Sequence, residues 1–255
     1  MPSTQVANAK RTHHEQVIKP QSVLTNPDGT QAAPSDGRKK YFTHCRTDIL
    51  NMIPDAARSF LSVGCGGGYT EAELVKKGYS VTGIELDPDA AAVARSNGLT
   101  MLEGDVNEIN AQLEGMSFDC LIYADVLEHI ADPVSVLRSH VPHLKVGGCA
   151  IVSVPNFRSY KVFKQQFIEG HIHYTDAGIL DITHLRITTR KLIEEWFGLV
   201  GLKTDAIDYR LWRRKEQYFS MLTLGLFKEF LASQVILRSI KTGDTQPTSP
   251  TEQHP

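Results

Sequence analysis

Long apolar runs are absent from this 255-residue sequence. No stretch approaches the ~20 apolar residues that a membrane-spanning helix needs, and the polar N-terminus lacks the apolar region of a signal peptide. The four cysteines are scattered and form no C-x-x-C pair. We therefore expect a cytoplasmic protein with reduced thiols and without a membrane span.

A marked excess of one charge is also missing, because the formal net charge is only −2. This balance does not favour non-specific nucleic-acid binding, and no basic stripe with interleaved aromatic residues favours RNA. Hydrophobic residues make up 41% of the chain and charged residues 22%. Such a composition is typical of one globular domain, long enough to bury a core without disulfides or a structural metal.

Apolar periodicity is missing at both ends of the chain. Residues 1–38 are rich in Ser, Thr, Gln, Asn, Pro and Gly, and residues 242–255 have the same character, so we expect two disordered tails. Between them, over 39–241, strand-like runs alternate with helical patterns, which predicts an α/β domain with a parallel sheet. The predicted strands are 59–63, 80–85, 99–102, 118–124, 149–155, 203–210 and 233–240.

A glycine cluster follows the first predicted strand. The letters Gly64-Cys65-Gly66-Gly67-Gly68 separate an apolar run from a helix-like segment that begins at Glu71. Glycines permit positive φ and let a ligand approach bare backbone. Glu85 ends the next strand, 21 positions after Gly64, where a ribose diol would need a carboxylate acceptor. The alternative interpretation is an ordinary tight turn.

The spacing Gly64-x-Gly66-x-Gly68 resembles the first motif of the class I S-adenosylmethionine-dependent methyltransferases. In a dinucleotide fingerprint the third glycine would come one position later. Four further segments extend the resemblance in the family's order, so that it covers roughly residues 41–240; they are 81–87, 102–106, 118–129 and 144–156. The most similar subgroup contains the ubiquinone-biosynthesis O-methyltransferases and the small methyltransferases of glycan and natural-product pathways.

This resemblance implies a Rossmann-like, doubly wound α/β sheet of seven strands, mostly parallel, with an antiparallel C-terminal edge hairpin. It implies that an acid like Glu85 holds the ribose of S-adenosylmethionine and that an aspartate like Asp105 faces the adenine. The full set of implied cofactor-binding residues is Val63, Gly64, Cys65, Gly66, Gly68, Glu85, Leu86, Asp105, Val106 and Tyr123. Ser62 departs from the family, which usually has an acid there to position the loop and the methionine amino group.

Titratable side chains follow the fourth predicted strand, namely Asp125, Glu128 and His129. Methyl transfer to an alcohol or phenol needs a base or a Lewis acid. His129 is the first candidate for the base, since the unperturbed pKa of histidine is near ~6.5. The alternative for His129 is a histidine at a helix start that bonds only to backbone.

A second histidine, His184, precedes the predicted helix 188–199. Its surroundings, 180–186, resemble a signature of the glycan-pathway methyltransferases, and in small-RNA 2′-O-methyltransferases a histidine at the corresponding point joins a Glu-x-x-Glu-His cluster that binds a divalent metal. The resemblance thus implies catalytic roles for His129 and His184, and a metal set of Asp125, Glu128, His129 and His184 suited to Mn²⁺, Fe²⁺ or Zn²⁺. Alternatively, the acids only cap a helix and His184 only orders a lid.

Two aromatic-rich segments remain. Residues 156–187 are irregular, and we predict that they form a substrate lid, with an ordinary surface connection as the alternative. Residues 214–230 carry apolar residues at helical spacing, which favours core packing or the face of a homodimer.

The leading hypothesis is a methyltransferase that acts on an oxygen of a small metabolite or sugar, with a small-molecule or glycan acceptor. One alternative is a catalytically weak S-adenosylmethionine-binding protein that regulates another enzyme, and Ser62 is its only support in the sequence. A nicotinamide oxidoreductase is a third hypothesis, disfavoured by the early third glycine and by Asp105.

Overall fold

A computed structural model describes residues 45–211 and 213–243. Nearly all of the two predicted tails, together with residues 39–44 of the predicted domain, lies outside the described residues. The predicted disorder of the tails therefore stays a prediction.

Seven strands form one sheet in the order β3-β2-β1-β4-β5-β7-β6. The first five pair in parallel, whereas β7 is antiparallel to both β5 and β6. This arrangement confirms the predicted doubly wound sheet with its C-terminal hairpin. Strand bounds agree with the predicted ones to about one residue, except that β5 begins earlier; they are β1 (Ser59–Val63), β2 (Ser80–Glu85), β3 (Thr100–Glu103), β4 (Phe118–Ala124), β5 (Leu144–Pro155), β6 (Leu202–Arg210) and β7 (Gln234–Lys241).

Helices cover both faces of the sheet, and side-chain caps begin several of them. Asp87 caps α3 by accepting from the backbone N–H groups of Asp89 and Ala90, and Thr189 caps α6. No helix in the described ranges has the length and apolar character needed to cross a bilayer. The helices are α1 (Thr47–Leu50), α2 (Glu71–Lys76), α3 (Pro88–Ser96), α4 (Pro133–His140), α5 (Tyr160–Phe163), α6 (Arg190–Gly198), α7 (Arg214–Leu222) and α8 (Lys228–Leu231).

The core consists of two clusters, one on each face of the sheet. Alternation along β1 sends Leu61 and Val63 into one cluster and Phe60 into the other. Helices α4 and α6 cover the first face, and α1, α2 and α3 cover the second. The carboxyl ends of β1, β2 and β4 lie at one edge of the sheet because these strands are parallel, and that edge is where open α/β sheets bind ligands.

The predicted helix 214–230 differs from the observed structure. It breaks after α7 because Leu224 (φ 50°) and Gly225 (φ 78°) are left-handed, and the Gly225 N–H bonds back to the Ser220 carbonyl at 2.7 Å. The interpretation as core packing is also wrong, since the apolar side chains are exposed and the buried ones of α7 are Glu216 and Ser220.

The side chain of Asp119, on β4, connects β4 with the start of β1 and with β5. One carboxylate oxygen accepts from the backbone N–H groups of Arg58 and Ser59 at 2.8 and 2.9 Å, and the other accepts from Lys145 Nζ at 2.7 Å. Partial burial would raise the pKa of Asp119, but these hydrogen bonds lower it to about 2. The ionised carboxylate therefore stabilises the pairing of β4 with β1 and β5.

We predict that Asp119→Ala lowers the free energy of unfolding by about 1.5–3 kcal/mol at pH 7, the range for hydrogen bonds to a charged group. Because the folded pKa lies below the ordinary aspartate value of 3.8, this stabilisation is complete above about pH 4 and is lost as the pH falls toward 2. Urea unfolding of the wild type and of Asp119→Ala between pH 7 and 2.5 measures this difference in the free energy of unfolding. Asp176 is exposed, so Asp176→Ala is the matched control. A difference in unfolding free energy between wild type and Asp119→Ala that stays constant across this pH range would contradict the prediction.

Candidate active site

The glycine loop lies between β1 and α2. Gly64, Gly66 and Gly68 have φ values of 63°, 54° and 67°, a region that favours glycine. A Cβ on Gly64 would lie 2.6 Å from a Val126 methyl carbon. The first glycine is therefore required for both its conformation and its close contact with the turn after β4.

Glu85 ends β2 and faces this loop. Its carboxylate accepts from the Gly66 N–H at 2.7 Å and from the N–H groups of Leu86 and Asp87 at 3.0 and 3.1 Å. These bonds hold the carboxylate across from the loop. Two carboxylate oxygens offer about four acceptor sites, so the side chain retains capacity for a ligand hydroxyl.

Asp105 lies beyond β3 and is exposed. One of its oxygens accepts from the backbone N–H and the side-chain amide of Asn107 at 2.8 and 2.7 Å, which orients the carboxylate. Val106 is partly buried against the core, whereas Leu86 is half exposed. The three residues thus lie on the loops that follow β2 and β3, at the same edge as the glycine loop.

Three predicted cofactor residues have largely structural side chains. Val63 and Tyr123 are fully buried in the core, and the Tyr123 hydroxyl lies 3.1 Å from His140 Nδ1. Cys65 is partly buried and packs against Gly83. The Tyr123 phenol is directed toward His140 of α4, so its predicted role in cofactor binding stays a prediction that rests on its backbone.

A buried acid that sequence reasoning missed lies beneath the glycine loop. Ser62 Oγ donates to Glu71 Oε1 at 2.6 Å, and both side chains are buried. Burial raises the pKa of Glu71, although the Ser62 hydrogen bond opposes this. A hydroxyl at the family's acidic position, followed by an acid in the first turn of the next helix, was the available signal.

Asp125 follows β4 with a left-handed φ of 58°. One carboxylate oxygen accepts from Ser153 Oγ and Gln234 Nε2 at 2.9 and 2.8 Å, and the other pairs with Arg46 at 2.5 Å. These contacts tie the turn after β4 to β5, β7 and the segment before α1. Asp125 is one of the four predicted metal ligands, and it differs from the other three because its carboxylate connects these segments.

The other three predicted ligands come together. Glu128, His129 and His184 each offer a ligand atom, and these atoms lie within 4.8 Å of one another. Glu128 is buried and both of its carboxylate oxygens lack a hydrogen-bond partner among the described residues. Burial, and then the nearby Asp125, raise the pKa of Glu128 well above its usual range. We call Glu128, His129 and His184 the carboxylate–histidine group.

The two imidazoles are oriented by backbone carbonyls. His129 Nδ1 lies 3.2 Å from the Thr183 carbonyl oxygen, and His184 Nδ1 lies 3.2 Å from that of Ile179. A carbonyl oxygen only accepts, so these contacts place the ring proton on Nδ1 and leave Nε2 with its lone pair. Burial, with His129 close by, lowers the pKa of His184, so that ring is neutral at pH 7.

The segment 156–187 reaches this group from above the sheet. It begins with α5 and a π-helical turn, Lys164–Ile168, and continues as irregular chain. The N–H groups of Leu185 and Arg186 both donate to the Glu128 carbonyl, at 2.8 and 3.1 Å. The predicted convergence of His129 and His184 is therefore observed: their ring centroids are 4.8 Å apart.

Comparisons with known proteins support the family that the motifs indicate. The family model described as "Methionine biosynthesis protein MetW" matches residues 44–188. A ubiquinone biosynthesis O-methyltransferase of Nitrosococcus oceani is 38% identical over 194 residues, which cover 71% of this chain and 82% of that relative.

Other matches are shorter or more distant. A ubiquinone biosynthesis O-methyltransferase of Hydrogenovibrio crunogenus is 36% identical over 112 residues, and the match spans about half of that relative's length, 46%, and 42% of this chain. The crystal structure of an S-adenosylmethionine-dependent methyltransferase from Archaeoglobus fulgidus has a TM-score of 0.56 at 15% identity, covering 80% of this chain and 90% of that one, and thus shares the fold. The family expected from the motifs is confirmed. The chain belongs to the family described as methionine biosynthesis protein MetW, within the class I S-adenosylmethionine-dependent methyltransferases.

Proposed function

We propose that the protein transfers the methyl group of S-adenosylmethionine to an oxygen of a small metabolite or sugar. The observation that carries this proposal is the carboxylate–histidine group, whose Glu128 and His129 follow β4 at the same edge of the sheet as the glycine loop. The relatives named ubiquinone biosynthesis O-methyltransferase support oxygen as the acceptor atom.

The cofactor end fits the residues present. A Cβ on Gly64 would collide with Val126, so the loop keeps bare backbone there, and Glu85 presents acceptor oxygens opposite the loop. S-adenosylmethionine, when bound, supplies an electrophilic methyl group on a sulfonium. Glu85 would accept from the ribose hydroxyls and Asp105 from the adenine amino group. Glu71, bonded to Ser62, would place a carboxyl group close to the position where the family usually has an acid.

The acceptor end provides a base. With Nδ1 protonated, His129 and His184 each present Nε2 as a lone-pair acceptor. As the acceptor oxygen attacks the methyl carbon in line, its proton passes to one of these nitrogens. A neutral imidazole is required for this role, and the lowered pKa of His184 supplies one at pH 7.

A divalent metal also fits this group. A buried carboxylate without a hydrogen-bond partner and two oriented imidazoles form a donor set suited to Mn²⁺, Fe²⁺ or Zn²⁺. Three protein ligands with an open position are typical of catalytic metal sites. A metal held by Glu128, His129 and His184 would act as a Lewis acid that lowers the pKa of the acceptor hydroxyl. The same histidines without a metal remain a site for general base catalysis.

Acceptor selection is assigned to the segment 156–187, which we propose to be a substrate lid. Support comes from the amides of Leu185 and Arg186, which connect the end of this segment to Glu128. A lid in this place would exclude water from the reacting oxygen. The alternative of a regulatory, catalytically weak protein has no observation in its favour, because Glu71 offers a carboxylate next to Ser62.

Glu85→Ala should weaken S-adenosylmethionine binding by about 1.5–3 kcal/mol, because a hydrogen bond to a charged group is lost. Isothermal titration calorimetry on the full chain measures the affinity. Glu73→Ala, a substitution of the same type on the surface of α2, should leave it unchanged. Equal affinity of the Glu85 variant and the wild type would contradict the cofactor assignment.

His129→Ala and His184→Ala should each lower turnover by ~10²–10⁴-fold, the usual contribution of general acid–base catalysis. Cofactor affinity should stay at the wild-type value, since neither side chain belongs to the glycine loop. Transfer to a panel of catechol, phenol and sugar acceptors is followed by mass spectrometry. His173→Ala, in the exposed part of the lid, is the control and should retain activity; turnover within a factor of ~3 of wild type in both test variants would exclude the assigned role.

A metal-dependent site should lose activity in EDTA and regain it with Mn²⁺ or Zn²⁺. Elemental analysis gives a readout that does not depend on activity. The wild-type protein reconstituted with metal should bind roughly one ion per chain, and Glu128→Gln should bind much less metal. Glutamine keeps the shape of Glu128 but removes the negative charge. Full activity in EDTA, with no bound ion, would mean that the histidines act as bases alone.

A further inference from the structure

Helix α7 has its polar side inward and its apolar side outward. Its buried residues are Glu216 and Ser220. Glu216 is held by Lys161 at 3.3 Å and by the Tyr160 hydroxyl at 3.2 Å. A surface helix normally buries its apolar stripe. The reversed orientation leaves that stripe without a covering element in the described part of the chain.

The turn after α7 extends the same apolar surface. Leu224 is 96% exposed and Leu226 is 79% exposed. Phe219 and Phe227 pack with ring centroids 6.0 Å apart, and Phe230 lies 6.2 Å from Phe163 of the lid segment. The apolar tip, as we name this surface, consists of Tyr218, Phe219, Met221, Leu222, Leu224, Leu226, Phe227 and Phe230, all of them exposed.

Positive charge borders the apolar tip. Arg213, Arg214 and Lys215 precede it as consecutive exposed residues, and none of the three is in an ion pair with a described acid. The acids nearby are already engaged: Glu229 pairs with Arg158 at 3.0 Å and Asp208 with Lys228 at 2.7 Å. The chain has a formal net charge of −2, so this cationic edge is a local feature.

Contact with a second copy through this surface is disfavoured. A two-fold dimer would use the same patch on both subunits, which brings two copies of the Arg213–Lys215 run to one interface. Like charges across an interface cost free energy. An anionic lipid surface instead attracts the cations and accepts the apolar side chains, and its fluid acyl region needs no matching groove.

We propose that the apolar tip and the cationic run Arg213–Lys215 dock the protein on an anionic membrane surface. Leu224 and Leu226 enter the boundary between headgroups and acyl chains, and the cations contact the anionic headgroups. This attachment is peripheral and reversible, and it does not depend on methyl transfer, because no tip residue belongs to the carboxylate–histidine group.

Vesicle co-sedimentation tests the proposal with the full chain. Wild-type protein should bind phosphatidylcholine vesicles that contain phosphatidylserine, and should bind pure phosphatidylcholine much more weakly. Replacing Arg213, Arg214 and Lys215 together by Gln should lower the partition coefficient on the order of 100-fold, from roughly 5-fold per cation. Raising the salt concentration should weaken vesicle binding by the wild type and should weaken binding by the triple variant less.

The apolar contribution is tested with Leu224→Asp and Leu226→Asp. Each should lower partition into the anionic vesicles by at least about 10-fold, since a buried leucine side chain is lost from the boundary and a negative charge is added. Asp tolerates the left-handed backbone of Leu224, so both variants should keep the wild-type melting temperature. Leu199→Asp is the matched control, because Leu199 is 57% exposed at the end of α6; its binding should not change.

Two results would overturn the proposal. The first is wild-type protein that stays in the supernatant with anionic vesicles at low salt. The second is a wild-type dimer, detected by light scattering, that Leu224→Asp or Leu226→Asp converts to a monomer without any loss of vesicle binding. That result would show that the apolar tip contacts a second copy of the chain. Activity toward a soluble acceptor should be the same in all these variants, which separates this test from that of methyl transfer.

Discussion

The contacts of one carboxylate, Asp125, hold the site together. It lies just after β4 and accepts hydrogen bonds from Arg46, Ser153 and Gln234, which belong to the segment before α1, to β5 and to β7. The side chains of Arg46 and Asp125 are only 10% and 9% exposed. Breaking a buried ion pair by removing one partner costs about 3–5 kcal/mol. The position of the turn that carries Glu128 and His129 depends on this junction, because that turn begins at the next residue.

A buried acidic side chain is present both beside the glycine loop and in the carboxylate–histidine group. Glu71 has a hydroxyl partner beside the glycine loop, whereas both oxygens of Glu128 lack a partner among the described residues. Burial raises the pKa of both groups. A buried polar group without a hydrogen bond reduces stability, and proteins tolerate that loss chiefly at functional sites. Glu128 therefore indicates a ligand more strongly than the two histidines alone.

The exposed apolar residues of 214–230 show how a periodic pattern can mislead. Helical spacing of apolar side chains indicates an amphipathic helix, but the pattern does not state which side faces the sheet. Here the polar side is inward, because Lys161 and Tyr160 of α5 provide partners for Glu216. Tyr160 lies 56 positions before Glu216 in the sequence and Lys161 is its neighbour, so local composition carried no sign of these partners.

The amino-acid sequence alone was sufficient to predict the sheet, the glycine loop, Glu85 at the end of β2 and Asp105 after β3. These features depend on local signals: apolar strands that alternate with helices, positive φ at Gly64 and Gly66, and an acid at a strand end. It also predicted that His129 and His184 lie close together, because the family resemblance put both in one implied metal set. The resemblance treated Asp125 and Glu128 as equivalent ligands.

Only the tertiary structure distinguished those two acids, by pairing Asp125 with Arg46 and leaving Glu128 buried beside the imidazoles. In the same way it joined Ser62 to Glu71 and turned the Tyr123 phenol toward His140. Each of these outcomes depends on which side chains from distant segments compete for the same buried position. Such competition is decided when the helices and strands pack, because burial makes an unpaired polar group costly, and the order of residues along the chain does not record it.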